Sequence, residues 1–184
     1  MRAPTLSTAG FLAAAVALAG CTVTPVETLD PATIPSGEPV AHGPDAASGE
    51  IVELGSGQTL GIGWRYLIYP SAEGECLQLE TVEVITTECG DMLPNGDGGF
   101  GSVGRAGLES NPNIITGITS AETATVWLIA GGGTRVAPAI LMPLEPAGLE
   151  GQAFVGFAPR DVTLTHVMAL AISGEVLETY ELQP

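Results

Sequence analysis

Beyond residue 50, apolar side chains fall at alternate positions in short runs of strand-forming residues closed off by Gly, Pro, Asn or Asp. A period of two sends successive side chains to opposite faces of an extended chain, so the pattern predicts strands with one face turned to a core. The segments it marks are 51–54, 59–69, 76–80, 82–87, 112–118, 123–130, 134–142, 152–157, 162–172 and 175–182. No stretch carries an apolar stripe at helical spacing for more than two turns. Two hairpins are readable, one turning at Gly131-Gly132-Gly133 between TATVWLIA and TRVAPAIL, the other at Ser173-Gly174 between VTLTHVMALAI and EVLETYEL. Strands this short, with turn signals between them, predict an antiparallel β-sandwich over residues 51–184.

The clearest single strand is Val162-x-Leu164-x-His166-x-Met168-x-Leu170-x-Ile172. Its alternate set, Thr163, Thr165, Val167, Ala169 and Ala171, is smaller and more polar, so the first set is expected to face inward and to carry His166 with it. A histidine there is either a neutral residue at the core edge or a ligand or general base in a pocket between the sheets. In GIGWRYLIY, Trp64, Tyr66 and Ile68 share one face and Arg65, Leu67 and Tyr69 the other. Trp64 reads either as core packing or as a binding platform for sugar rings.

The first fifty residues follow a different pattern. Arg2 precedes a run from Ala9 to Ala19 that is apolar throughout. About a dozen residues fall short of the roughly 20 that span a hydrocarbon layer, so residues 1–20 read as a signal peptide. From 22 to 50 there is no apolar periodicity, and Pro25, Pro31, Pro35, Pro39 and Pro44 remove backbone donors. That composition predicts a disordered, partly extended tether, with His42 solvated inside it. At the junction, Leu18-Ala19-Gly20-Cys21 resembles the lipobox of bacterial lipoproteins. The resemblance implies a diacylated Cys21, cleavage just before it, and a membrane anchor, since two acyl chains at about 0.8 kcal/mol per buried methylene hold firmly where one does not.

Charge narrows the partners. The chain has a formal charge of −16 and five cationic residues, all arginine: Arg2, Arg65, Arg105, Arg135 and Arg160. So acidic a surface repels nucleic acid and anionic headgroups. Beyond Cys21 the cysteines are Cys76 and Cys89, an even pair for which an exported domain makes a disulfide the default. No Gly, Pro, Asn or Asp lies between them, and a fully extended segment would hold the sulfurs on the order of 40 Å apart. A bridge therefore needs a chain reversal near Glu80-Thr81 or Thr86-Thr87. Spacing rules out a Cys-x-x-Cys redox motif, and two cysteines with two distant histidines are too few for zinc.

Other motifs lack their structural frame. GFGSVG (99–104) matches G-x-G-x-x-G, but RAGLESNPN after it cannot open a helix for a pyrophosphate, so a glycine-rich loop is expected. DMLPNGDGG suggests calcium through Asp91, Asn95 and Asp97, yet a twelve-residue loop begun at Asn95 ends on Ala106 where a glutamate belongs. The acidic run from Glu73 to Asp97 reads as a solvated face or as an irregular calcium site. No G-x-S-x-G occurs, and His166, Asp161 and Ser173 form a triad only on paper.

GECLQLETVEV, the later ECGD and the terminal GEVLETYEL resemble the small secreted β-domains of envelope proteins in GC-rich Gram-positive bacteria. This resemblance implies an extracytoplasmic, immunoglobulin-like β-sandwich. The expectation is a lipid-anchored binding module with another envelope protein or the wall as partner and no catalytic residues. A ligand- or calcium-binding domain is the alternative and a small hydrolase the third reading.

Overall fold

The computed structural model describes residues 34–42, 47–94, 99–106 and 113–183. Their strands form three antiparallel sheets of four strands each. Sheet A is a meander of β1 (Val52–Thr59), β2 (Ile62–Ser71), β3 (Gly74–Thr81) and β4 (Ile85–Gly90). Sheet B runs β5 (Phe100–Ala106), β6 (Ile114–Thr119), β10 (Gln152–Phe157), β9 (Ile140–Pro143) in spatial order. Sheet C runs β12 (Val176–Glu181), β11 (Leu164–Ala171), β7 (Thr123–Ala130), β8 (Thr134–Pro138). The fold is thus all-β and sandwich-like, as the period-two pattern predicts, with three layers where an immunoglobulin-like sandwich has two.

Sheet B is the middle layer. Ile114 and Ile118 of β6, with Ala153, Val155 and Phe157 of β10, pack against Trp64, Tyr66, Ile68, Leu77 and Leu79 of sheet A. Ile115 and Phe154 point the other way, against Val126, Leu128, Leu164 and Val167 of sheet C. A strand buried on both faces cannot alternate apolar with polar, and β6, IITGIT, is buried along its whole length. On the side facing sheet C, Gly117 and Gly156 make room for their neighbours. A β-carbon on Gly117 would lie 2.2 Å from the Ser102 carbonyl oxygen and 2.7 Å from the Phe154 ring, and one on Gly156 would lie 2.9 Å from the Leu128 side chain.

Several expected boundaries shift for identifiable reasons. The segment 59–69 is broken at Leu60-Gly61, where both residues have positive φ, 51° and 79°. That is the twist a two-residue hairpin needs, supplied here without the usual Asn or Asp. The segment 134–142 is two strands in different sheets. It leaves sheet C after Pro138 and joins sheet B at Ile140, while the Ala139 N–H still donates to the Val126 carbonyl at 2.8 Å. GFGSVG is neither a phosphate loop nor a glycine-rich loop, because all of it after Gly99 lies in β5, paired with β6. Glycine depletes the apolar signal there, which is why periodicity passes over it. The hairpins at Gly131–Gly133 and Ser173-Gly174 are present as expected.

β11 corrects the expected facing. Its register shifts between Leu164 and His166, so the buried face changes from even to odd positions and Val167 and Ala169 turn inward. His166 and Met168 therefore lie on the outer side of sheet C, not in the core. A one-residue bulge is invisible to a period-two reading, and here it inverts the facing of His166 to Ala169 before a second register shift at Leu170.

Cys76 and Cys89 are cross-strand partners in β3 and β4 and form the expected disulfide. The reversal lies at Val82–Val84, just past Glu80-Thr81. Thr81 makes it, its Oγ1 accepting the Glu83 and Val84 N–H groups at 3.2 and 3.0 Å. Closing this loop stabilises the fold by roughly 3 kcal/mol in the chain-entropy account.

The two glycines give an ordered prediction. Gly117→Ala meets a backbone oxygen that cannot move aside and should cost about 3 kcal/mol, at the upper end of overpacking. Gly156→Ala meets only a leucine side chain and should cost about 1 kcal/mol. Urea midpoints of the two variants at equal m-value check the order.

Candidate functional site

The outer face of sheet A carries polar rows that the core cannot use. Arg65, Glu80, Gln78, Tyr69 and Thr87 lie side by side across β2, β3 and β4. Residues 37–42 cross this face, the far end of the segment whose composition predicts a disordered tether. Their backbone supplies the missing partners. The Gly37 carbonyl accepts from Arg65 at 2.8 Å, and the Val40 carbonyl accepts from Gln78 Nε2 at 2.9 Å. The His42 carbonyl accepts from Tyr69 Oη at 2.8 Å and Thr87 Oγ1 at 2.7 Å, and its N–H donates to Gln78 Oε1 at 2.7 Å. The His42 side chain itself is exposed, as expected. Proline suits such a strap, which needs a fixed extended backbone and carbonyl acceptors more than donors.

Under the strap, Arg65 and Glu80 form a buried ion pair. Glu80 Oε2 takes the guanidinium through Nε at 2.8 Å and through a second nitrogen, while Oε1 accepts from Gln78 Nε2 at 2.7 Å. Both ions are desolvated, and both find the hydrogen bonds that such desolvation demands. Burial raises the Tyr69 phenol above its ordinary range, while the bonds to Thr87 and His42 pull it back.

Two hollows border sheet A. One, of about 240 Å³, is lined by Val52, Ile68, Tyr69 and Pro146 with Glu50 and Glu75 at its sides. The other, of about 30 Å³, lies between β4 and β5 beside Tyr66, Glu88, Arg105 and Thr116. It has room for a water. The Tyr66 hydroxyl is buried there without a well-formed hydrogen bond, with Thr116 and the Gly117 backbone as its polar neighbours. Burial pushes that phenol far up, and partial loss of water raises the Glu88 carboxyl above the ordinary carboxylate range.

The outer face of sheet C differs, because no described residue crosses it. Two rows run over its four strands. One is Glu181, His166, Ile129, Arg135, and the other Thr179, Met168, Trp127, Pro138. The Arg135 guanidinium sits 5.5 Å from the Trp127 ring centroid, a cation–π contact. His166 Nδ1 is 3.0 Å from Thr165 Oγ1. At the sheet's end Ile172 is 95% exposed and Val176 51%. Trp, Met and Arg are the side chains enriched at protein interfaces.

The other expected residues are dispersed. Trp64 is core, 4% exposed, its ring 6.0 Å from that of Phe157 and its Nε1 donating to Thr59 Oγ1 at 3.1 Å. Neither Trp64 nor His166 lines the hollows named above. Ser173 lies in the turn seven residues beyond His166. Along extended chain that is about 23 Å, so the paper triad is not assembled. Asp91 is exposed, Asn95 and Asp97 lie outside the described residues, and no cluster of three metal-ligating side chains occurs among the described ones. Cys21 also lies outside them. Periodicity does not single out Trp127 and Arg135, which the fold brings together on this face. The Gly131–Gly133 hairpin was the available signal, since its register sets Arg135 opposite Ile129 and beside Trp127.

The geometry defines a class, a three-layer antiparallel β-sandwich with one outer sheet face strapped and the other crossed by no described residue. No protein-family profile matches the chain, and neither does any curated protein or solved structure.

Glu80→Leu leaves the Arg65 charge buried and unpaired and should cost 3–5 kcal/mol as an order of magnitude, most of it recovered in Arg65→Met/Glu80→Leu. Denaturant melts of the three proteins check this. At Glu88 the raised pKa means that the folded state holds the proton more tightly than the unfolded chain. Its contribution to stability therefore falls as pH rises from the ordinary carboxylate range through the folded pKa. Glu88→Gln should melt slightly above the parent at neutral pH, and the gap should close below the carboxylate range.

Proposed function

We propose that this chain is a lipoprotein anchored through Cys21 at the outer face of the cell membrane, and that its β-sandwich head is a binding module for another envelope protein or the wall. The anchor reading is supported by Leu18-Ala19-Gly20-Cys21 at the end of the apolar run and by the proline-rich stretch after it. The likeness to secreted β-domains of envelope proteins points the same way.

One observation carries the module reading: the outer faces of the stack are treated differently. Chain arriving from Cys21 meets the head on sheet A, where Gly37, Val40 and His42 are bonded down. Sheet C lies on the far side of the middle layer, about 20 Å away at the usual inter-sheet spacing. Its Trp127, Arg135 and Met168 are thus left clear of the strap. A sheet face of this kind suits docking rather than enclosing a substrate. The hollow between Glu50 and Glu75 favours ligand capture as a second reading, for a cationic ligand with an apolar body. Thermal shift with such amines separates the two.

The expected outcome is a diacylglyceryl mass on Cys21 of the membrane-extracted protein, absent from Cys21→Ala. In-cell photo-crosslinking should capture one envelope protein, lost in Trp127→Ala and retained in His42→Ala. Capture that is indifferent to Trp127 removes sheet C from the proposal, and a soluble, unacylated parent removes the anchor.

A further inference from the structure

We infer that the open face of sheet C is a self-association surface whose occupant is a second copy of this chain. The inference rests on the reading of that face as the interacting one. Its ground is a self-complementary order of side chains. Across the sheet, one row reads Glu181, His166, Ile129, Arg135, from edge strand β12 to edge strand β8. The charges stand three strand spacings apart, about 14 Å. Rotating a second copy by a half-turn about an axis parallel to the strands brings its β8 over β12 and its β12 over β8. Arg135 of each copy, an exposed residue, then faces the exposed Glu181 of the other, while Ile129 is already buried within its own sheet. The second row falls into register under the same rotation, with Trp127 of one copy over Met168 of the other, a favourable thioether–aromatic pairing. A dyad across the strands would instead set Arg135 against Arg135. The charge order therefore selects one of the two in-plane dyads.

Physical limits agree with this arrangement. Two copies of so acidic a chain repel at long range, but charges separated by more than about 8 Å are screened at physiological salt, so the facing pairs decide. Both chains leave from their sheets A, at opposite ends of the six-layer stack, and neither strap obstructs the contact. Four strands about 4.8 Å apart and some six residues long give a face of roughly 400 Å² per copy. The two faces together, about 800 Å², lie below the 1,200–2,000 Å² of stable complexes, so the pair is weak in free solution. Confinement of both copies to one membrane raises their effective concentration enough for it to form there.

The test uses the lipidated full chain in phosphatidylcholine vesicles, with donor and acceptor dyes on Ala121→Cys, an exposed turn position off the face. Wild type should show energy transfer above the level for randomly placed molecules at the same surface density. Arg135→Glu alone and Glu181→Arg alone should each drop it to that level, and Arg135→Glu/Glu181→Arg together should restore it. Both positions are exposed, so fold is retained, as equal melting temperatures would verify. Single variants that associate like wild type, or a double variant that stays unassociated, overturn the inference. Wild type at the random level, with Trp127-dependent capture of another envelope protein intact, overturns the second copy and keeps the module reading. Loss of both overturns both.

Discussion

Burial of sheet B on both faces is the constraint from which the rest of the molecule follows. A middle layer has little room for polar residues, so β6 and β10 are built mainly from Ile, Ala, Val, Phe and Gly, with Thr116 and Thr119 of β6 and Gln152 at the start of β10 as their polar residues. Thr119 is satisfied locally, its Oγ1 2.9 Å from the Gly99 carbonyl and 2.7 Å from Thr123 Oγ1. Stacking on both sides also demands a thin layer. Gly117 lets the Phe154 ring approach its backbone closely, and Gly156 admits the Leu128 side chain of sheet C. Interior packing at near-crystalline density leaves no slack for an added methyl at the first of these.

Three layers also dictate connectivity. The chain passes between sheets repeatedly, and two of these passages, β6 to β7 and β10 to β11, are tied by side-chain hydrogen bonds. Asn113 ties the start of β6 to the passage from β10 to β11, donating to the Pro159 and Val162 carbonyls at 2.8 and 2.6 Å. The passage from β6 to β7 is held by Gln152, which donates to the Thr123 carbonyl at 2.6 Å. At the edge, Phe100 N–H donates to Glu178 at 2.6 Å and joins β5 to β12. These polar corners favour the observed layer order at those two passages and at the β5–β12 edge.

With the middle layer enclosed, character resides in the two outer faces. Sheet A invests an arginine and a glutamate in an internal pair and closes over it with backbone carbonyls from residues 37–42. A hydrophobic replacement of equal volume would cost no more. What the ionic version adds is a fixed register for the strap, since each carbonyl must meet its own donor. Sheet C keeps its cation at the surface beside an indole. In a molecule so acidic, that arginine is a local exception, and it sets the electrostatic pattern of the face.

How far the sequence reached can be traced through particular residues. Alternation in TATVWLIA and EVLETYEL, glycines at the turns, and the even cysteine pair together determined an all-β antiparallel head with a Cys76–Cys89 bridge. Those are local or two-body properties, set by side-chain period, turn chemistry and redox logic. The resemblance of Leu18-Ala19-Gly20-Cys21 to a lipobox is likewise a matter of linear sequence, read without reference to the fold. The third layer was not legible, because a strand buried on both sides looks merely apolar. β5 was hidden by its glycines, and the facing of His166 turned on a bulge that costs one residue and leaves no mark in composition. The strap over sheet A needed knowledge of which distant carbonyls meet Arg65 and Gln78. Hydrophobic periodicity says that a face is buried, and only the tertiary structure decides against what, because that depends on how three sheets share a finite apolar surface.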